Sequence, residues 1–270
     1  MNSWLAPGTW NIALIGAMVC AVIGVSVVRA RRGAHVQVRA FPPLLALDRA
    51  VADSVAQGRP VYFVAGSQDI DNMQTVAALA VLRPLARKVA EAGGRLFVPT
   101  NRSLVMDNAR EICRRAYHDA GRADLWRDDW VAYISDDHLG FVARVDGLIA
   151  RERPGLCVLM GFFASESLLL AEGGHQVGAV QIAGTASAVQ LPFLVASCDH
   201  VLLGEELFAA GASLEGDAAR LGSLRGQDLC KLAAAACLVA GSLVATLADV
   251  TGAQPWLLLR EAFLNVFRAG

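Results

Sequence analysis

The sequence predicts an α/β protein: a three-layer domain around a mainly parallel sheet, anchored by two transmembrane helices. Three observations predict it. Short apolar runs recur along the middle of the chain with helical periodicity between them, the pattern of βαβ units. The runs are apolar on both faces, as strands are when helices cover both sides. Two long uncharged runs, one near each end, account for a hydrophobic share of 55% beside only 18% charged residues.

The balance of charge excludes several classes. With 24 Lys and Arg against 25 Asp and Glu the net charge is -1, so nothing suggests a protein built to wrap nucleic acid. The apolar content excludes disorder as the main state. Six Cys in 270 residues are too few, and too apolar in setting, for a disulfide scaffold.

Taken in order, the first element is Trp10 to Val28, WNIALIGAMVCAVIGVSVV. As a helix it is about 28 Å long, close to the hydrocarbon thickness of a bilayer. Trp4 and Trp10 sit where an interfacial belt is expected, and Arg29, Arg31, Arg32 and Arg39 follow. A signal peptide has its charges before the apolar run, so the order favours an anchor with the C-terminal flank in the cytoplasm. A linker then leads to Pro42–Pro43, where a helix starts, and Gly58 stops it.

From there strand and helix alternate. VYFVAG (61–66) is a strand and 70–92 a helix with Ala77, Val81, Leu85 and Val89 on one stripe. RLFVP (95–99) is a strand. Residues 103–119 follow as a helix with Leu104, Ala109, Ile112, Cys113 and Ala116 inward and Arg110, Arg114 and Arg115 outward. WVAYIS (130–135) precedes a helix over 137–150, and LCVLMG (156–161) precedes one over 163–172 that Gly173–Gly174 stop. VGAVQIAG (177–184) is a fifth strand. The run around 193–203 supplies one more, which Pro192 makes either antiparallel or an edge strand, and GEELFAAGA opens another helix. The domain so built is Rossmann-like.

The second apolar run, Leu232 to Ala248, lies between Lys231 and Asp249. Arg220, Arg225 and Lys231 before it put its basic flank in the same compartment as that of the first run. A buried helix of a soluble domain is the alternative for this run. Small residues would let the two spans pack closely on each other or on a neighbouring copy: Gly16, Ala17, Ala21 and Gly24 on the first, Ala233, Ala236, Ala240 and Gly241 on the second. Past Pro255, Trp256, Leu259, Phe263, Val266 and Phe267 recur at three and four residues while Arg260, Glu261, Asn265 and Arg268 break the run. This predicts an amphipathic helix too charged to span, lying on the far membrane surface or on a partner. The resulting organisation is an extracytoplasmic N-terminus (1–9), a transmembrane helix (10–28), a cytoplasmic Rossmann-like domain (29–228), a second transmembrane helix (229–249) and an extracytoplasmic tail (250–270).

In such folds ligands bind beyond the carboxyl ends of the strands. This rule selects Gly66, Ser67, Gln68, Asp69 and Asp71; Thr100, Asn101, Arg102 and Ser103; Ser135, Asp136, Asp137 and His138; Gly161, Ser165, Glu166 and Ser167; and Gly184, Thr185, Ser187 and Gln190. The ligand-binding candidates drawn from them are Ser67, Asp69, Asn101, Asp136, Gly161, Glu166, Gly184, Thr185 and Ser187. Ser67, Asp69, Ser103 and Asp136 also suit helix N-caps. Glu166, between FFAS and SLLL, must face water, a cleft or a partner, because an unpaired buried carboxylate is costly. In GAVQIAGTASAVQLPF the small residues after the strand would let backbone N–H groups approach a ligand anion, or would serve close packing.

Catalytic signatures are missing. The sequence has no G-x-G-x-x-G or Walker loop after its first strand, no G-x-S-x-G elbow and no H-E-x-x-H spacing. Cys198, Asp199 and His200 are consecutive and make no relay by themselves, so the cysteine reads as a core residue. No catalytic residue is assigned, and no metal or cofactor is expected.

The stretches GRPVYFVAGSQDIDNMQTVAAL (58–79), VPTNRSLVMDNARE (98–111), ISDDHLGFVARVDGLIARERPG (134–155), MGFFASESLLLAEGG (160–174), VGAVQIAGTASAVQLPFLVASCDHVLLGEELFAAGA (177–212) and GSLRGQDLCK (222–231) resemble an uncharacterised family of bacterial membrane proteins, a domain of unknown function. The resemblance implies a Rossmann-like soluble domain between transmembrane helices. It carries no activity, cofactor or catalytic residue.

The function expected is a structural or scaffolding subunit of a bacterial inner-membrane assembly. Its partners would be membrane lipid and either further copies of the chain or other membrane-protein subunits, with no nucleic acid. A small-ligand sensor or enzyme using the cleft beyond the strand ends is the alternative, and a transport subunit the third reading.

Overall fold

In the computed structural model, which describes residues 10–33, 41–164 and 166–267, the chain divides into two units. One is built from Arg39–Gly216, the other from the two flanking segments. Trp4, Arg39, Ser165, Arg268 and the side chains of Phe263, Val266 and Phe267 lie outside the described residues.

The central unit is an α/β domain. Its strands are β1 (Val61–Val64), β2 (Leu96–Thr100), β3 (Val131–Tyr133), β4 (Leu156–Met160), β5 (Val180–Thr185) and β6 (His200–Leu203). They form one sheet in the order β3-β2-β1-β4-β5-β6, parallel at every pairing. The order reverses between β1 and β4, which pair from Val61 opposite Leu156 to Val64 opposite Leu159. Both central strands are buried throughout, as two-sided helix cover requires.

The helices of this unit are α2 (Pro42–Ala56), α3 (Met73–Glu91), α4 (Ser103–Asp119), α5 (His138–Glu152), α6 (Glu166–Gln176), α7 (Leu191–Ser197) and α8 (Glu205–Glu215). The stripe Ala77, Val81, Leu85 and Val89 of α3 is buried as its spacing predicts. Pro84, within α3, has no N–H to give the carbonyl of Ala80. Gly211 of α8 packs against that exposed piece of backbone, where a Cβ would lie 3.1 Å from the Ala80 oxygen.

Several local expectations are corrected. Helix α6 runs through Gly173 and Gly174 and ends only before Gly178. The glycine pair therefore serves packing: a Cβ on Gly173 would strike Asp146 of α5, and one on Gly174 would come within 2.8 Å of the Gln181 side chain of β5. Pro192 lies in the first turn of α7, ahead of the last strand, and of the two alternatives for that strand the edge position holds: β6 is at the sheet edge and pairs parallel. On α4 the buried line is Val105, Ala109, Cys113, Ala116 and Tyr117, while Leu104 is exposed and Ile112 half-buried. Arg110 does not point outward; its Nη2 donates to the Val131 carbonyl at 3.1 Å.

None of the four expected capping residues caps a helix through its side chain. Asn72 caps α3, accepting from the Gln74 N–H at 2.9 Å, and Asp137 caps α5, accepting from Gly140. Both lie immediately before the first helical residue, where a cap oxygen meets the free N–H groups. Asp69, three residues upstream, accepts instead from the Ile70 N–H next to it. Ser103 is itself the first residue of α4.

The second unit consists of α1 (Trp10–Arg31), α9 (Ala218–Thr251) and α10 (Gln254–Phe267). Helices α1 and α9, of 22 and 34 residues, are long and apolar enough to cross a membrane, and their apolar windows are almost wholly unburied within the chain. They pack antiparallel through a G-x-x-x-G pair that the sequence reading passed over. A Cβ on Gly222 would lie 2.7 Å from Ala30 Cβ, and one on Gly226 2.8 Å from Ile23 Cα. The facing residues Ile23, Ser26, Val27 and Ala30 form one face of α1. Gly16 and Gly24, two of the small residues expected at this contact, have nothing within 4 Å of where a Cβ would stand. Helix α10 is tied to its neighbours by Arg260–Asp249 at 2.9 Å and by Asn11 Nδ2 donating to the Asn265 carbonyl at 3.1 Å.

Candidate functional site at the carboxyl edge of the sheet

The strand order reverses between β1 and β4, the place where sheets of this kind bind ligands outside the carboxyl ends of the strands. Two glycines set its floor. Gly66 has φ +80° and a Cβ there would lie 2.5 Å from the Phe162 oxygen; Gly161 has φ +120° and a Cβ there would lie 2.8 Å from the Ala65 oxygen. Only glycine combines that conformation with that approach. The loops are bonded directly, Ser67 N–H donating to the Phe162 carbonyl at 2.8 Å. Asn101, at the end of β2, donates from Nδ2 to the Ser67 carbonyl at 3.1 Å and fixes the first loop from the other side. Ser67 and Asn101 are both buried.

Glu166 stands above this floor. As the first residue of α6 it lies where the helix dipole favours an anion, yet it is only 4% exposed. Burial pushes its carboxyl up. The Ser67 hydroxyl, the backbone N–H groups of Glu166 and Ala164 and the nearby His138 imidazole push it down and prevail, so Glu166 titrates below the usual carboxylate range. The Ser67 hydroxyl is also 3.4 Å from the Phe162 carbonyl. Its single hydrogen is better placed on the carboxylate, because a charge-assisted bond is the stronger of the two.

One oxygen of that ionised group is left over. Glu166 Oε1 is buried and has no hydrogen-bond partner among the described residues. Nδ1 of His138, the first residue of α5, lies 3.6 Å from it, beyond hydrogen-bonding distance. The imidazole is 46% exposed, so it stands between the buried oxygen and solvent. Nδ1 is the ring nitrogen nearer the carboxylate, but no hydrogen bond joins the two groups.

The remaining candidates fall outside this cluster. Asp136 is exposed and accepts from the Tyr133 hydroxyl, which this bond holds above its ordinary range. Asp69 is half-buried in its own turn. Gly184 packs under Met160, Leu202 and Leu207. At Thr185 and Ser187 the polar groups are already engaged: the Gln74 side-chain oxygen accepts from Thr185 Oγ1 at 3.1 Å and from the Ala186 N–H at 2.7 Å, and the Ser187 N–H donates to Thr185 Oγ1 at 3.2 Å. Two of the amides that could have met an anion are thus bonded within the protein. Ser67, Asn101, Gly161 and Glu166 therefore come together. His138 joins them, although its place in the sequence marks it no more than its neighbours, and Gln74 acts across 111 positions with no local signal. Cys157 and Cys198 are core thiols, pushed up by burial to about 12 and about 11.

A family model described as a domain of unknown function, DUF6754, matches residues 1–255. The chain belongs to this family. No curated protein and no solved structure matches it. For this DUF6754 chain the chemistry therefore rests on its own residues, and the Glu166–His138 pair is where ionisation, burial and access to solvent coincide.

Proposed function

We propose that this DUF6754 protein is a membrane-anchored domain that binds a small ligand, as a sensor or an enzyme, with a hydrogen-bond donor of the ligand seated on Glu166. The observation that carries this reading is the ionised, buried carboxylate whose Oε1 has no partner at the switch point of the sheet. Leaving such an acceptor unmet costs about 1–3 kcal/mol, more when it is charged. A ligand hydroxyl or amine would recover that loss. If the ligand reacts, the half-exposed His138 imidazole, 3.6 Å from Oε1, is the group placed to move a proton.

The wider setting belongs to the same proposal. Two apolar helices whose basic flanks adjoin the α/β unit in sequence fit a multi-pass protein of the bacterial inner membrane, with the α/β unit in the cytoplasm and lipid around the helices. Native mass spectrometry of the full chain, extracted from its own membrane, tests the ligand. A bound small molecule that is lost in Glu166→Gln is expected; a chain that carries nothing in either form overturns the reading.

A second reading, a scaffolding subunit of an inner-membrane assembly, is favoured by a different observation. Gly16 and Gly24 on α1 are left without neighbours, which leaves room for a helix of another copy or another subunit. This reading expects a defined oligomer in mild detergent. A clean monomer with no co-purifying subunit would sink it.

A further inference from the structure

The two edges of the sheet differ in what they expose. In an all-parallel sheet the loops after β1, β2, β3, β4 and β5 all leave from the carboxyl edge. Those loops and the first turns that follow carry Ile70, Met73, Leu104, Leu139, Leu168 and Val189, all exposed, with Met73, Leu139 and Val189 at 68%, 70% and 73%. Counted the same way, with the last helical turns that lead into the strands, the amino edge exposes Val195 and, at the start of β5, Val180 among the described residues. Scattered exposed apolar residues need no explanation, but a set of them along the edge that also holds a buried, unmet polar group points to a binding surface.

We infer that the carboxyl edge takes an amphiphile: a hydroxyl or amine head on Glu166 Oε1, and an alkyl portion across the apolar rim formed by Ile70, Met73, Leu104, Leu139, Leu168 and Val189. This rests on the proposed ligand site and names the class of its ligand. Two independent observations meet in it. The orphaned oxygen of Glu166 calls for a donor, and the rim calls for apolar area that a sugar or free amino acid does not have. The Glu166 charge disfavours an anionic group directly on Oε1, so the head is neutral or cationic there. A membrane supplies amphiphiles, and the chain carries two helices long and apolar enough to cross one.

The test uses the full chain in nanodiscs and a photoreactive alkyl glycerol ether as the probe. Crosslinks are expected within residues 65–73, 101–105 and 134–142. They should fall at least fivefold in Glu166→Gln and, separately, in the surface double variant Met73→Asp with Leu139→Asp, whose side chains are exposed and whose folding is little affected. Labelling confined to α1, α9 and α10, or unchanged by both variants, overturns the inference. Native mass spectrometry separates this failure from that of the ligand site itself. A water-soluble metabolite retained by the wild type and lost in Glu166→Gln removes the amphiphile but keeps the site, whereas no bound molecule of either kind removes both.

Discussion

The amino and carboxyl edges of the sheet solve the same problem in opposite ways. At the amino edge, Arg59 donates from Nε to the Arg153 carbonyl at 2.8 Å and from Nη2 to the carbonyls of Pro154 and Val177 at 2.7 and 2.9 Å. One guanidinium thereby closes the chain around Arg153, a non-glycine residue held at φ +49°. Ser54 Oγ donates to the Arg59 carbonyl at 3.0 Å, and Gly155 packs directly on Ser54. Each of these donors meets a backbone carbonyl of the protein. At the carboxyl edge the backbone is closed just as tightly, by Gly66 and Gly161, but the buried charge above it keeps an unfilled oxygen. The difference separates stability from function. The amino edge has an unmet acceptor too, the uncharged Oε1 of Gln181 near the start of β5, so what sets the carboxyl edge apart is that its unmet oxygen belongs to an ionised group.

The strongest break is at the glycine floor. Gly161→Val should be the most destabilising single change in the α/β unit, because it forces a branched side chain into φ +120° and against the Ala65 backbone. A loss of about 3–5 kcal/mol is expected, enough to unfold many domains. Urea denaturation followed by circular dichroism measures it; a midpoint close to wild type would show that the loops can part and that the floor is not rigid.

Next in size is the seal at the other edge. Arg59→Ala removes three charge-assisted bonds and frees the Arg153 turn, with an expected loss of about 2–3 kcal/mol. Ligand binding at Glu166 should be unchanged in the fraction that remains folded. Loss of binding without loss of stability would contradict the separation of the two edges.

How much of this was legible in the sequence follows from the range of each interaction. Strands and helices were readable because burial imposes periodicity on neighbours in the chain, as in Ala77, Val81, Leu85 and Val89. Glu166 was conspicuous as a carboxylate in an apolar helix. Gly173 and Gly174 misled, because a glycine that ends a helix and one that lets Asp146 approach look alike in the sequence. Arg59 and Gln74 were invisible: each bonds to residues 94 to 118 positions away or, for Gln74, 111 and 112, and nothing near them hints at the partner. The G-x-x-x-G of Gly222 and Gly226 was present as a motif but masked by the smaller residues of the apolar run, which drew attention further along α9.

A smaller effect lies in the titration of Glu166. Its folded carboxyl is held below the ordinary value, so ionisation stabilises the fold. That contribution is complete above the unfolded value of about 4.3 and is lost as pH falls through the lower folded value. Glu166→Gln should therefore lower stability at pH 7, and the gap to wild type should close as pH falls below the ordinary carboxylate range. Paired denaturation curves between pH 2 and 7 give the difference directly, since the other carboxylates titrate alike in both proteins. A gap that persists at the acid end would mean that Glu166 acts by packing, not by charge.

The smallest expected effect on stability belongs to His138, and it is the most informative about the comparison. The ring is 46% exposed, and Nδ1 stands 3.6 Å from the carboxylate, too far for a hydrogen bond. Replacing it with Gln should shift stability by no more than about 0.5 kcal/mol, the range of an ordinary surface substitution. Its position between solvent and the buried Oε1 nevertheless puts it in the path of anything that reaches Glu166. His138→Gln should weaken retention of the bound molecule, or slow its turnover, by at least tenfold while the urea midpoint stays in place. A variant that unfolds early would make His138 part of the seal, and one that binds as wild type would leave Glu166 to act alone. The sealed edge has no counterpart to such a residue: Arg59 cannot be removed without cost to the fold, because all its bonds are made inside it.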